Sequence, residues 1–383
     1  MFTNRIPLFT LFGIKVGLDY SWFFLAILLV WSLMAGYFPW MLPGLDTASY
    51  LWMAILGAAG LFASIIFHEY AHALVARRYD LPISRITLFI FGGVAEMDDE
   101  PRTAAAEFWM AIAGPIASFL LAAAMLVVLS VGPFGLDSRL GAIIGYLGFI
   151  NLILAVFNLL PAFPLDGGRM LRAAVWWFTQ DFQKATRIAA STGSVLAIVL
   201  IGFGVINIIG GAFVQGIWQM LIGFFVYSAA NASRAHAELR GTLHGVPVSR
   251  IMRSEVITVP ADTPVQKLVD EYFYRHFYKV FPVVDGAGRP VGAIGLKDVG
   301  NANRDDWRNV RTSDIMKPLS EDNTVTPDAP AYKVLQMMQR RQNSRLLVVE
   351  GHSLKGMVTM RDIMSYLAVR DELEPDTQPA PAA

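Results

Sequence analysis

Six apolar stretches constrain this chain more than any other feature. They run at about Ser21 to Tyr37, Tyr50 to Val75, Phe108 to Ser130, Gly141 to Leu160, Ile188 to Ile209 and Phe213 to Ser233. Each comes close to or exceeds the roughly 20 helical residues that cross about 30 Å of hydrocarbon. Backbone at that depth has no water to bond, so each stretch is predicted to be a helix. Composition agrees: of 383 residues, 55% are hydrophobic and 16% charged, with a mean hydropathy of +0.46. That is too apolar for an ordinary water-soluble domain. Six spans leave much of the chain over, and a soluble module is expected after about Gly241.

Charge asymmetry sets the orientation. Of 13 Lys and Arg residues before Gly241, 12 fall at the start, in the second-to-third or fourth-to-fifth connection, or after the sixth span; Arg139 alone lies on the other side. The positive-inside rule then predicts a multi-pass protein of the cell membrane with both termini and the module cytosolic. The formal net charge is zero and no long basic run occurs, so no nucleic-acid partner is expected. The absence of cysteine rules out disulfides and thiolate metal sites. The opening "MFTNRIPLFTLFGIKVGLDY" lacks a basic region followed by a compact apolar core and a small-residue cleavage site, so no cleaved signal peptide is expected.

The second span ends in "SIIFHEYAHALVARR", and His68 precedes Arg77 by nine residues, roughly 14 Å along a helix rising about 1.5 Å per residue. Two histidines and a glutamate therefore sit below the cytosolic surface, where ionisable groups are expensive and usually functional. "HEYAH" is H-E-x-x-H. On a helix, His68 and His72 share a face one turn apart and can bind one metal, while Glu69 projects beside it toward an open position for water. Zinc suits two imidazoles plus a carboxylate. The other four histidines, His236, His244, His276 and His352, all follow the last span, so the third ligand must be an oxygen donor. After the fourth span comes "NLLPAFPLDGGRM", in which Pro161 and Pro164 stop the helix and Gly167 and Gly168 allow a tight turn. Asp166 is expected there on irregular backbone, at the depth of His68.

His68, Glu69 and His72 on the second span, combined with Asn158 and Asp166 in an N-x7-D arrangement ending in Asp-Gly, resemble the site-2 protease family of intramembrane zinc metalloproteases. Six spans followed by a soluble module are similar to its sporulation-type bacterial and archaeal members. The resemblance covers about residues 1 to 235. It implies one zinc per chain held by His68, His72 and Asp166, with Glu69 as general base and Asn158 as a polar group near the scissile carbonyl. It also implies a membrane-tethered protein as substrate. "AGPIAS", Ala113 to Ser118, resembles the family's Gly-Pro segment; many members have asparagine where Ser118 stands, and no catalytic role is assigned to it.

Between the second and third spans, "RITLFIFGGVAEM" reads as a short apolar hairpin or re-entrant strand. A helical substrate hides its backbone in hydrogen bonds and must be unwound. A strand edge here, with Phe91, Gly92, Gly93 and Val94 as the substrate-binding candidates, could pair with the opened segment. Glu96 and the run Asp98 to Glu100 read as a solvated rim.

The module contains an internal repeat: "SRIM" at Ser249 returns as "SDIM" at Ser313, "FPVVD" at Phe281 as "LLVVE" at Leu346, and "GAIGLKDV" at Gly292 as "GMVTMRDI" at Gly356. These motifs resemble tandem cystathionine-β-synthase (CBS) domains, which commonly bind adenine nucleotides. The domain boundaries expected are 1–235 for the membrane unit, 236–246 for a linker, 247–370 for the CBS pair with copies at 247–305 and 310–370, and 371–383 for a disordered tail. The family often meets ribose with a Ser or Thr three residues before an Asp. Thr359 and Asp362 match; in the first copy Gly295 stands before Asp298. A homodimer through the CBS pair is the other role the resemblance implies. The fold class expected is thus a membrane α-helical bundle of six helices with a short membrane-associated β-hairpin, plus a C-terminal α/β tandem CBS pair. Competing readings are a CBS-regulated channel or transporter, since intramembrane charges also mark ion paths, and an inactive scaffold relative.

Overall fold

A computed structural model of the chain describes residues 5–373, apart from Pro82, Phe91, 98–100 and His244. The expectations for Phe91, for Asp98 to Glu100 and for residues 374–383 concern residues outside those described; the tail expected to be disordered from 371 instead begins inside a helix, Met360–Leu373. Two compact units form, Met1–Ala237 and Glu238–Ala383.

In the first unit the apolar stretches become helices: α1 Ser21–Met41, α2 Thr47–Arg77, α3 Ala104–Val131 and α4 Arg139–Asn158. After a short helix, α5 Asp166–Thr179, come α6 Phe182–Ile209 and α7 Phe213–Leu243. Six helices among the described residues are thus long and apolar enough to cross a membrane. Helices α2, α3, α4 and α6 begin ahead of their apolar stretches because polar caps set their starts. Asp46, Thr103, Ser138 and Asp181 each accept a hydrogen bond from a first-turn amide of α2, α3, α4 and α6, satisfying donors that would otherwise have no partner. Large apolar side chains such as Leu120, Leu126, Val195 and Ile206 stay exposed on α3 and α6, as expected of surfaces that face lipid.

The expected hairpin is present, β3 Ile83–Phe89 and β4 Gly92–Met97, but it is half of a larger sheet. Two strands before the first span, β1 Arg5–Leu11 and β2 Ile14–Asp19, complete the order β1-β2-β3-β4. β2 and β3 run parallel, and the other pairs are antiparallel. Ile14, Val16, Ile83 and Ile86 bury one face against Tyr70, Ala73 and Ala76 of α2 and Met110 of α3. The sheet thereby lies along the histidine-bearing turns of α2, with β4 as an edge strand.

The second unit holds two sheets, β5 Val259–Pro260, β6 Val280–Val284, β7 Pro290–Gly295 and β8 Lys317–Pro318 in one. The other has β9 Thr324–Val325, β10 Arg345–Glu350 and β11 Ser353–Thr359, with helices α8 Ala331–Arg340 and α9 Met360–Leu373. The cores do not follow the sequence repeat. Leu243 and Val246, just ahead of the first copy, and Val248 and Ile251, at its head, are buried with Val334, Leu346, Val358 and Ile363 of the second. Reciprocally, Ile315 and Met316, at the head of the second copy, pack against Val259, Phe281 and Ile294 of the first. Backbone bonds repeat the exchange: the Val248 amide donates to the Ala329 carbonyl at 2.9 Å and the Arg253 amide to that of Met357 at 2.9 Å, while the Thr312 amide donates to the Thr263 carbonyl at 2.9 Å. Each core thus takes in the leading segment of the other repeat.

Candidate metal centre

Three donor atoms from two helices converge in the first unit. His68 Nε2 lies 3.1 Å from Asp166 Oδ2, His72 Nε2 lies 3.2 Å from the same oxygen, and the two nitrogens are 3.1 Å apart. All three residues are buried, and they form the one group of this kind among the described residues. The expectation that irregular backbone holds Asp166 is corrected: it is the first residue of α5, following Leu165 in extended conformation, where the positive end of the helix favours a carboxylate. The tight turn expected at Gly167 and Gly168 is likewise the first turn of α5. Small residues are needed there because a Cβ at either position would run into the backbone of residues 159–163.

The triangle fits a metal. Tetrahedral zinc with bonds of about 2.0–2.1 Å places its ligand atoms roughly 3.3 Å apart, close to the distances between these three. The histidines also present the right nitrogens. His72 Nδ1 lies 2.6 Å from the Met110 carbonyl oxygen, which can only accept, so Nδ1 carries the hydrogen and Nε2 offers its lone pair. His68 Nδ1 lies 2.9 Å from Ser118 Oγ. Such outer partners fix ring orientation and tautomer. Lone pairs crowded this closely against a carboxylate repel one another unless a cation sits among them.

Helix α3 supplies the rest of the enclosure. A Cβ on Gly114 would fall 2.5 Å from His68 Nε2 and closer still to His72 Nε2, so only glycine leaves the nitrogens room. On the other flank β4 passes Glu69: a Cβ on Gly93 would stand 2.8 Å from Glu69 Cγ. The glutamate beside the cluster is half-buried and lies against the backbone of an edge strand.

Residues 56–137 and 134–200 match the model of peptidase family M50, and residues 248–302 and 312–369 match the CBS domain. Rip3 of Mycobacterium tuberculosis is 32% identical over 375 residues, 97% of this chain and 95% of that protein. The zinc metalloprotease MJ0392 of Methanocaldococcus jannaschii is 31% identical over 374 residues, covering 96% of this chain and 98% of its own. The chain belongs to peptidase family M50, the site-2 proteases. It is a membrane-embedded zinc metalloprotease with tandem CBS domains. The solved site-2 protease from M. jannaschii covers 60% of this chain and 95% of its own, with 30% identity and a TM-score of 0.44.

In this M50 peptidase the remaining candidates are distributed as follows. Asn158 ends α4, half-buried, with no hydrogen bond to the three donors among the described residues. Gly92, Gly93 and Val94 all lie in β4. In the CBS unit, Thr359 Oγ1 donates to Asp362 Oδ2 at 2.6 Å, and Arg253 Nε donates to Asp362 Oδ1 at 2.8 Å. Asp298 accepts from the Gly295 amide at 2.9 Å and stands 3.5 Å from Lys317 Nζ. Sequence reasoning named Ser118 without seeing it as the partner of His68 and missed the Met110 carbonyl. It also missed Asn151, which is buried in α4 and donates to Ser64 Oγ of α2 at 3.0 Å. An asparagine amid a span was a signal available in the sequence, since polar side chains inside a bilayer find partners on neighbouring helices.

Proposed function

We propose that this M50 peptidase cleaves membrane-tethered proteins near the cytosolic side, with His68, His72 and Asp166 holding one zinc and Glu69 serving as general base. The observation that carries the reading is the triangle of buried donors, 3.1–3.2 Å on each side, beside a carboxylate that belongs to the same helix. Bound zinc supplies Lewis acidity that polarises the scissile carbonyl and acidifies water. Glu69 takes the proton of the attacking water and returns it to the departing amine nitrogen as the C–N bond breaks. Its side chain lies close beside Gly93 of β4. Asn158 offers an amide to the developing oxyanion or the substrate backbone.

Substrate binding is assigned to the edge strand β4, Gly92 to Val94, where Gly93 lies against Glu69, with Phe91 kept as a candidate from the sequence. An unwound substrate adding to that edge gains ladder hydrogen bonds and brings its carbonyls toward the general base. Charge asymmetry supports an orientation with both termini and the CBS unit in the cytosol. The CBS pair is read as an adenine-nucleotide sensor or a homodimer contact. The hydroxyl and acid of Thr359 and Asp362 suit a ribose in the second copy, and Asp298 lacks the hydroxyl in the first.

Glu69→Gln tests the central claim. Membrane proteins whose cytosolic fragments disappear in cells carrying the variant are the substrates, and the purified variant should retain one zinc. Cleavage at the wild-type rate by Glu69→Gln would remove the general base and the assignment with it. Equal rates with and without ATP would count against a sensor.

A further inference from the structure

Helix α3 presents one stripe of residues to the metal centre. Glu107, Met110, Gly114 and Ser118 are separated by three, four and four positions, the spacing of a single helix face. Three of them serve the histidines directly, as described above. The fourth serves something else: Glu107 is fully buried, and its Oε1 accepts from both Nε and Nη2 of Arg172, the former at 2.7 Å.

Arg172 sits six residues after Asp166 on α5 and is itself nine-tenths buried. Its guanidinium is 5.1 Å from the ring centre of Phe163 and 4.9 Å from that of Phe182. Phe163 belongs to the loop that delivers Asp166, and its amide donates to the Ala189 carbonyl of α6 at 3.1 Å. One side chain therefore ties together α3, the loop before Asp166, α5 and the start of α6. Stability alone is a poor reason for such a pair, because buried ion pairs often do no better than apolar residues of the same volume. Here Glu107 Oε2 has no partner among the described residues, which detracts from stability. What the pair adds is geometry, since two donors of one planar guanidinium close on a single carboxylate oxygen while two rings flank it, which holds α5 at a set distance from α3.

We propose that Glu107 and Arg172 are positioning residues that set α5 against α3, so that Asp166 meets the nitrogens whose orientation α3 also fixes. The inference rests on the reading that Asp166 joins the histidines at the metal, and the test separates the two. Full-length protein in detergent is loaded with cobalt, whose visible absorption reports a tetrahedral ligand set, and zinc affinity is measured by chelator competition. Arg172→Met and the charge-free double variant Glu107→Leu/Arg172→Met should lower zinc affinity tenfold or more, the range seen when outer-shell partners are removed, and should weaken the cobalt band. Arg172→Lys keeps the charge without the fork and should fall between. It also carries the test should Arg172→Met not fold. Asp166→Asn is the control for the premise. If Asp166→Asn leaves affinity and spectrum unchanged, the premise fails and the proposal with it. If Asp166→Asn alters them while the folded Arg172 and Glu107 variants match wild type, with only their melting temperature shifted, the pair is purely structural and the proposal is overturned.

Discussion

Replacing Gly114 with alanine adds one methyl group and should nearly abolish metal binding. Its carbon would fall 2.5 Å from His68 Nε2, about 0.9 Å short of the 3.4 Å at which ordinary contact begins, and nearer still to His72 Nε2. Neither imidazole can simply retreat, because the Met110 carbonyl and Ser118 Oγ hold their Nδ1 atoms at 2.6 and 2.9 Å. The donors of a metal site tolerate errors of about 0.2 Å, so a displacement several times larger should cost a hundredfold or more in zinc affinity, about 2.7 kcal/mol. Alanine favours helix over glycine by about 0.8–1.0 kcal/mol, so loss of the fold is not the expected cause. Zinc affinity by chelator competition, metal content of the purified protein and far-ultraviolet dichroism together check it. Normal zinc content and affinity in a helical Gly114→Ala protein would refute the claim that this glycine keeps the nitrogens clear.

Four further outcomes are expected. Ser118→Ala removes the partner of His68 Nδ1 and should weaken zinc binding by about 10–100-fold, measured by the same competition. Gly93→Val pushes a branched side chain toward Glu69 Cγ and Ile65; cleavage of a purified substrate should fall at least tenfold while zinc content stays at one per chain. Chelation should abolish cleavage by the wild type and added zinc restore it, whereas Glu69→Gln should remain inactive under both treatments. Val248→Ala removes buried surface from the second CBS core at about 1–3 kcal/mol. Hydrogen exchange should then rise in α8, β10 and α9 and leave β5 to β7 unchanged; the reverse pattern would contradict the exchanged cores.

Much of the donor cluster was legible because bilayer depth, histidine shortage and helical spacing are all properties of linear sequence. His68 and His72 had to share a face, and a carboxylate had to join them. The local structure around Asp166 was not legible, since "PLDGGRM" carries turn residues that serve here to let a helix pack closely onto the preceding loop. Nor were Ser118 and the Met110 carbonyl visible as partners, because the first is an ordinary hydroxyl in a span and the second has no side-chain signature. The sheet was only half seen. β1, Arg5–Leu11, carries a proline and no regular alternation, and although Ile14, Val16 and Leu18 alternate with polar residues or glycine in β2, the pairing of β2 with β3 depends on contacts some 70 residues apart, as between Val16 and Ile86. In the CBS unit the repeat showed two copies but not which core each leading segment enters, because the two copies offer nearly equivalent apolar seats.

That exchange of leading segments has a consequence for biosynthesis. As the chain leaves the ribosome at about 5–20 residues per second, Val248 and Ile251 emerge well before Val334, Leu346 and Ile363, the residues that bury them. The first core, spanning Val259 to Met316, is complete while those earlier residues still have no seat. The unit therefore closes from the middle outward, and a ribosome that stops shortly after Met316 would release a finished first copy preceded by an uncovered apolar strap.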